Sequence, residues 1–220
     1  MPDRPATAAG DRALALERMA EAVMARLAPL SFELAETPAD RDAVLRMRYE
    51  CVVGEGWARA EDQPDGRERD EYDDEATFVV CRDAGFIAGS MRLVAPSPGR
   101  PLPTERAYGI RARPPGRAVE VGRIVVAPSS RAGRSHLVLA GLGARGWLEA
   151  CRWGYEGVVS TATAEVVDLY RALGLRVTVL GPARTHWGAS RVPIRVDGDE
   201  RSFDFVGRAG GPASPEEPGL

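Results

Sequence analysis

Three β-like runs in the middle of the chain restrict what it can fold into. The runs 76–83 and 86–95 meet at Asp83-Ala84-Gly85, and runs joined by such turn residues are typical of a β-hairpin. The run 119–127 becomes continuously apolar, which predicts a strand that is buried on both faces. A strand of this kind needs helices on both sides of its sheet, so we expect a mixed α/β architecture.

The flanking segments alternate between helix and strand patterns. Thr37-Pro38 is a typical helix N-cap followed by proline in the first turn, and this helix should end near Val52. Further helices are expected at 11–28, 134–154 and 164–173, the last one capped by Gly174, and further strands at 31–35, 157–163, 175–180, 192–196 and 201–206. The polar segment 54–74 and the Pro-, Gly- and Arg-rich segment 96–118 are expected to be loops.

The composition excludes several classes of function. The net charge of −3 gives no argument for binding nucleic acid or an anionic membrane surface. All 29 basic residues are arginines, so a Schiff-base lysine, a lysine general base and a Walker-type phosphate lysine are excluded. Two histidines and three widely spaced cysteines make a metal site unexpected. With no signal pattern and no apolar run of membrane-spanning length, we expect a cytoplasmic protein without a membrane span.

Length and composition also predict how the chain is divided. Its 220 residues are enough for one substantial domain with a real core. We predict an N-terminal helical extension at 1–30, a single domain at 31–208 and a disordered Pro- and Gly-rich tail at 209–220.

The run ERDEYDDE at 68–75 places six carboxylates in eight positions, just before the hairpin. Its ordinary interpretation is a loop that faces water, as most charge runs do. The alternative is that some of the carboxylates turn inward, hold a cationic substrate and take a proton from it.

Four blocks of sequence favour the second interpretation. RMRYECV (46–52) with Trp57 after it, ERDEYD (68–73), GSMRLV (89–94) and VEVGRIVV (119–126) resemble, in the same order, the signature blocks of the acyl-homoserine-lactone synthases. The resemblance extends over about 31–197. It implies the fold of the GNAT-type N-acyltransferases, a three-layer sandwich with a mixed central sheet, helices on both faces and a splayed pair of strands. It also implies transfer of an acyl group from acyl carrier protein to the amine of S-adenosylmethionine, which gives an N-acyl-homoserine lactone signal.

The resemblance assigns roles to particular side chains. The signature positions fall on Arg48, Trp57, Glu68, Asp70, Asp73, Arg92, Glu120 and Arg123. Glu68, Glu120 and Arg123 are the implied catalytic residues, with Glu68 as the proton acceptor. Arg48, Trp57, Asp70, Asp73 and Arg92 are the implied acceptor-binding residues. Val52 stands where the family has an aromatic residue, which leaves the identity of the acceptor open.

The chemistry explains why such residue types are needed. An attacking amine must be neutral, so a carboxylate or a water chain has to accept its proton, and the oxyanion of the thioester must be stabilised. Carboxylates and an aromatic ring suit a cationic acceptor, and arginines can fix the carboxylates by bidentate bonds. The same cluster is also explained as an ion-pair network that only clamps the acidic loop to the sheet. Glu120 and Arg123 are three residues apart, so they share one site only if a bulge, expected at Gly122, changes the alternation.

The donor site is expected between the strands 119–127 and 157–163. Val125, Val126, Ser160 and Thr161 would line the cleft, and the two hydroxyls would hydrogen-bond the acyl-pantetheine arm. The loop VAPSSRAGRSHL (126–137) resembles the pyrophosphate-binding turn of GNAT enzymes, but arginine replaces a small residue at 134. We therefore favour acyl carrier protein over coenzyme A as the donor, with Arg131 and Arg134 facing the acidic carrier.

Two alternatives to this function remain open. One keeps the reaction and changes the acceptor or donor, giving an N-acyl amino acid synthase that uses a long-chain acyl carrier protein, or another GNAT enzyme that uses acyl-CoA. The other is a catalytically silent domain that binds the carrier protein. No permanently bound cofactor and no metal is expected under any of them.

Overall fold

The computed structural model of the protein describes residues 6–112, 117–131, 133–172 and 175–197. Within these ranges the elements are α1 (Ala6–Arg26), β1 (Ser31–Leu34), α2 (Pro38–Gly54), β2 (Thr77–Asp83), β3 (Phe86–Val94), α3 (Pro103–Tyr108), β4 (Ala118–Val126), α4 (Ser135–Arg152), β5 (Gly157–Ala162), α5 (Ala164–Ala172), β6 (Arg176–Val179), β7 (Arg184–His186) and β8 (Ala189–Asp197). The strand expected at 201–206, the Gly174 cap and the tail at 209–220 lie outside the described residues.

The strands form one mixed sheet in the order β1-β2-β3-β4-β5-β8-β6, and β7 pairs with β8. Most neighbours are antiparallel, whereas β4 and β5 are parallel and pair only from Ala118 opposite Gly157 to Glu120 opposite Val159. Beyond these positions β4 continues beside β3 and β5 continues beside β8, so the two strands separate. The predicted splayed pair is therefore confirmed.

Helices cover the sheet on both faces, as the continuously apolar strand required. Val79 packs in the cluster that contains Leu142 of α4, whereas its neighbour Val80 packs in the cluster that contains Val44 of α2. Successive residues of a strand point to opposite faces, so one strand serves both cores. The fold is the expected α/β sandwich with helices on both faces.

The helix predicted at 11–28 is part of α1, which packs on the outer surface of α4. Ala20 and Val23 of α1 are buried against Ala144 and Leu148 of α4. Small residues at this contact let the two helices approach closely. None of the helices in the described part of the chain is long and apolar enough to cross a membrane.

The structure differs from the sequence prediction in two connecting segments. The segment 96–118 is not only a loop, because it contains α3, which begins at a proline and is capped by Glu105 accepting a hydrogen bond from the backbone N–H of Leu102 (2.8 Å). The second difference is the hairpin of β7 and β8, where only the strand 192–196 was expected. Both additions lie at the end of the sheet where β4 and β5 separate, and both contribute to the site.

Candidate active site

A cavity of about 400 Å³ opens where β4 leaves β5. Its walls come from seven parts of the chain: α2, the segment 57–72, β3, α3, β4, β5 and the β7–β8 hairpin. The lining includes Arg48, Val52, Trp57, Glu68, Asp70, Tyr72, Arg92, Thr104, Glu120, Gly122, Arg123, Val125, Ser160, Thr161, His186, Trp187 and Arg191. Seven of the eight side chains expected in the acceptor and catalytic site therefore line one cavity, and the eighth, Asp73, is bonded behind them.

A bulge in β4 aims two charged side chains into this cavity. Ser90 of β3 lies opposite Val125, but Arg92 lies opposite Gly122, so β4 has one extra residue between these pairs. Arg123 adopts a left-handed backbone conformation there (φ 49°). The extra residue changes the alternation of the strand, and both Glu120 and Arg123 line the cavity as a result. The predicted bulge is confirmed next to Gly122.

Arg48 of α2 forms ion pairs with two carboxylates of the acidic segment. Its guanidinium is buried, donates from Nε to Glu68 and donates from both terminal nitrogens to Asp73 (2.8 and 3.2 Å). A helix side chain that is charged and buried must have such partners, since an isolated buried charge is strongly unfavourable. Arg48 thereby fixes the acidic segment against α2.

Arg92 of β3 and Arg123 of β4 complete the network. Arg92 donates to Asp70 (2.6 Å) and Asp73 (2.9 Å), and Arg123 donates to Glu68 (3.1 Å) and Asp70 (2.8 Å). Three arginines from three elements thus bind three carboxylates from one short segment. The charges offset one another, so the interior carries little net charge at this point.

The pKa of Asp73 shows how strongly the arginines act. Burial alone would raise the pKa of this carboxyl, but the hydrogen bond and charge of Arg48, together with the charge of Arg92, lower it to about 2. Asp73 is therefore ionised throughout the physiological pH range.

Glu120 has a different environment. Burial raises its pKa to about 7, and hydrogen bonds from the backbone N–H and the hydroxyl of Thr104 (2.9 to 3.0 Å) only partly oppose this effect. A carboxyl that is half protonated near neutral pH can accept a proton from a substrate amine. Thr104 was not expected in the site, because the helix α3 that presents it was interpreted as loop.

The far side of the cavity is aromatic. Trp57, His186 and Trp187 line it, and the ring of Trp187 lies over the guanidinium of Arg123, with the guanidinium carbon 3.9 Å from the ring centroid. His186 packs edge-on against Tyr108 (5.8 Å between ring centroids). Burial, together with the charges of Arg123 and Arg191, lowers the pKa of His186 below its ordinary range. His186 and Trp187 were not predicted, since no spacing in the sequence relates them to the acidic segment.

The predicted donor residues are divided between the cavity and its surroundings. Val125, Ser160 and Thr161 line the cavity, and the two hydroxyl residues follow the last position at which β5 pairs with β4. Val126 does not line it, and its carbonyl accepts a hydrogen bond from Nε of Arg131 (3.1 Å).

The two arginines of the loop after β4 are engaged with carboxylates of the same chain. Arg131 forms an ion pair with Glu55, and Arg134 forms one with Asp83 (2.7 Å). Neither arginine lines the cavity.

Comparisons with known proteins agree with this fold. A family model described as an acetyltransferase (GNAT) domain matches residues 47–141. An acyl-homoserine-lactone synthase from Ralstonia solanacearum is 29% identical over 198 residues, which cover 81% of this chain and 92% of that protein.

Solved structures give the same relationship. BjaI, a CoA-dependent acyl-homoserine lactone synthase solved with SAM and isopentyl-CoA, is 25% identical with a TM-score of 0.61 and covers 80% of this chain and 85% of its own. MesI, a CoA-dependent acyl-homoserine lactone synthase, is 26% identical with a TM-score of 0.62, and the match covers 83% of this chain and 96% of the MesI chain. FeeM, an N-acyl amino acid synthase from uncultured soil microbes, shares the fold at 15% identity, with a TM-score of 0.61 over 81% and 97% of the two chains. The chain is an acyltransferase with a GNAT domain, homologous to the acyl-homoserine-lactone synthases.

Proposed function

We propose that the protein transfers an acyl group from a phosphopantetheine thioester to the amine of S-adenosylmethionine and releases an N-acyl-homoserine lactone. The observation that carries this proposal is the convergence, in one cavity at the splayed strands, of a carboxyl with a pKa of about 7 and an ion-paired acidic wall. Two homologues named as acyl-homoserine-lactone synthases support the choice of reaction.

Glu120 is the proposed proton acceptor. The amine of the acceptor must lose a proton before it attacks the thioester carbonyl, and a carboxyl with a pKa near the working pH suits this step. Glu68 is less suited to it, since its two oxygens accept hydrogen bonds from the guanidinium groups of Arg48 and Arg123, whereas Glu120 accepts from uncharged donors of Thr104. We therefore assign Glu68 to holding these two arginines.

The acyl transfer then follows ordinary thioester chemistry. The nitrogen forms a bond to the carbonyl carbon, the carbon–sulfur bond breaks, and the pantetheine thiolate leaves and takes up a proton. The β4 bulge at Arg123 leaves backbone groups outside the ladder, and a backbone N–H there is the proposed partner of the oxyanion.

Lactone formation needs no further base. A carboxylate oxygen of the acylated acceptor attacks the carbon that is bonded to the sulfonium, and the sulfur leaves as a neutral thioether. Asp70, whose carboxylate is shared by Arg92 and Arg123 at the cavity wall, is the proposed contact for the positive end of the acceptor.

The donor enters, in this proposal, between β4 and β5. Ser160 and Thr161 have no β4 partner at this point and face the cavity, so their hydroxyls are the proposed contacts of the acyl-pantetheine arm. The sequence favoured acyl carrier protein as the donor. The intramolecular ion pairs of Arg131 and Arg134 weaken the argument for a free basic docking patch, and two solved relatives are named as CoA-dependent. Both donors belong in the test. The cytoplasm, where both kinds of thioester are made, is the proposed place of action.

One observation favours a second acceptor. Val52 lines the cavity with an aliphatic side chain, where the resemblance implies an aromatic one. An amino acid acceptor, which lacks the adenosyl group and the sulfonium, has less need of that ring. An N-acyl amino acid synthase is therefore the second function to test.

The test is a product analysis with defined donors and acceptors. The purified protein is incubated with acyl-CoA or acyl carrier protein thioesters of several chain lengths and with S-adenosylmethionine or single amino acids, and products are identified by mass spectrometry. An N-acyl-homoserine lactone that disappears in Glu120→Gln supports the proposal. An acyl amino acid as the main product supports the second function, and no acylated product with retained carrier binding supports the silent binding domain.

A further inference from the structure

The tip of the β7–β8 hairpin forms one wall of the acceptor cavity. His186 and Trp187 line the cavity beside Arg191, whose Nε donates to the carbonyl of His186 (3.1 Å). The hairpin is also fixed to α3, because the hydroxyl of Tyr108 donates to the carbonyl of Arg191 (2.9 Å). The wall is therefore held in place from two sides.

The backbone conformation at Trp187, at the tip of the hairpin, is unusual for a tryptophan. Trp187 has a φ of 51°, a left-handed conformation that is rare for a bulky side chain and that concentrates at binding and active sites. Gly188 follows with a φ of 68°, and a Cβ on it would overlap the indole of Trp57. Glycine at 188 thus lets the indole of Trp57 lie directly against the hairpin tip.

The ring of Trp187 is anchored by a group of the catalytic network. The guanidinium carbon of Arg123 lies 3.9 Å from the ring centroid. The charge of Arg123 is offset by Glu68 (3.1 Å) and Asp70 (2.8 Å), so a second cation near the ring meets two carboxylates as well as the guanidinium. The cavity therefore has a side of ion-paired carboxylates and an aromatic side, and the aromatic rings attract a cation.

We propose that Trp187 is an acceptor-binding and specificity residue, and that with Trp57 it forms the aromatic side of the pocket that receives the positively charged sulfonium of S-adenosylmethionine. This inference rests on the proposed function. It gives the cavity an aromatic surface from the hairpin, whereas α2 contributes the aliphatic side chain of Val52 at the position discussed above. Faces of tryptophan rings are the preferred protein surface for onium groups.

The test measures the binding of two ligands that differ in this charge. S-adenosylmethionine and S-adenosylhomocysteine, which lacks the methyl group and the positive charge, are titrated by calorimetry into the wild type, Trp187→Leu and Trp187→Phe. We expect Trp187→Leu to lose about tenfold in affinity for S-adenosylmethionine and less than about twofold for S-adenosylhomocysteine. Trp187→Phe should retain most of the discrimination. Trp153→Leu is the matched control, because Trp153 packs against Tyr155 outside the cavity.

Several outcomes would overturn the inference. An equal loss of affinity for both ligands would make Trp187 a packing residue, and unchanged affinity for both ligands in Trp187→Leu would remove it from the site. A wild type that binds no S-adenosylmethionine would overturn the proposed function together with this inference. Failure of the Trp187 variants alone, with a wild type that binds, would overturn only the inference. Thermal unfolding of each variant checks its folding, and Trp187→Gln replaces the leucine variant if that one does not fold.

Discussion

Replacing Glu120 by glutamine should change stability and activity in opposite directions. Glu120 is 5% exposed, and burial raises its pKa from the ordinary 4.5 to about 7. One pKa unit corresponds to about 1.4 kcal/mol, so ionising this carboxyl costs ~3 kcal/mol more in the folded protein than in the unfolded chain. Glutamine keeps the size of the side chain and an oxygen that can accept from Thr104, and it removes the charge.

The sign of the pH dependence follows from the raised pKa. Protonated Glu120 adds no penalty below about pH 4.5, and the stability of the wild type falls as the pH rises through about 7. Glu120→Gln has no such loss. The difference in the free energy of unfolding between the variant and the wild type should therefore grow by about 2 to 3 kcal/mol from pH 5 to pH 8, in favour of the variant.

The assay is urea unfolding of both proteins at the two pH values, combined with product formation. Acyl transfer by Glu120→Gln should fall by about 10² to 10⁴-fold, the usual contribution of a general base. Glu156→Gln is the control, because Glu156 is exposed at the turn before β5 and far from the cavity lining. A stability difference that stays constant between pH 5 and pH 8 would refute the argument from burial, and full turnover would refute the proton-accepting role.

Three further predictions concern the site and its support. Thr104→Val removes a hydroxyl that donates to Glu120 (2.9 Å) and stabilises its charged form. The pKa of Glu120, seen in the pH profile of kcat/KM, should therefore rise, and an unchanged profile would contradict this contact. Arg92→Ala removes one of the two arginines that bind Asp70 and one of the two that bind Asp73. It should lower the free energy of unfolding in urea by about 3 to 5 kcal/mol; a loss below about 1 kcal/mol would make the network unimportant for stability. Gly141→Ala brings a Cβ into the ring of Phe32 and should destabilise by about 1 to 3 kcal/mol, whereas Gly143→Ala on the same helix meets nothing and should stabilise; similar thermal unfolding of the two would contradict the packing.

Much of the fold was predictable because it depends on local patterns. The two β-like runs 76–83 and 86–95, joined by turn residues, define the hairpin, and the N-cap at Thr37 is realised by a hydrogen bond from the backbone N–H of Asp40 (3.1 Å). The separation of β4 from β5 followed from the resemblance alone. No periodicity in either strand shows where their pairing stops, since that depends on which neighbour each strand keeps.

The site was predictable mainly from the resemblance. The grouping of Arg48 and Arg92 with the acidic segment followed from it, and it agrees with electrostatics because buried arginines need carboxylates as partners. The contact between Glu120 and Thr104 was not predicted, because Thr104 lies in a Pro-rich segment that was interpreted as loop. Trp187 was missed for a similar reason, since a ring at a hairpin tip leaves no periodic signal.

Some carboxylates of the acidic segment 68–75 face water, and others are part of the pocket. Asp74 and Glu75 are exposed, whereas Glu68 and Asp73 are buried and Asp70 lies between these extremes. The exposed and inner carboxylates differ because the arginines of α2, β3 and β4 bind only the inner ones.

The glutamate of β4 accepts from a threonine instead, and its pKa is higher than that of Asp73 by several units. Two carboxylates in one site with pKa values of about 2 and about 7 can divide the work, since one stays charged and fixes the geometry while the other exchanges a proton. Moving an arginine into hydrogen-bonding distance of Glu120 would remove that difference, so we expect a Thr104→Arg variant that folds to lose the proton-accepting step while keeping the ion-pair network. A pH profile of kcat/KM that still rises near pH 7 in that variant would show that another group accepts the proton.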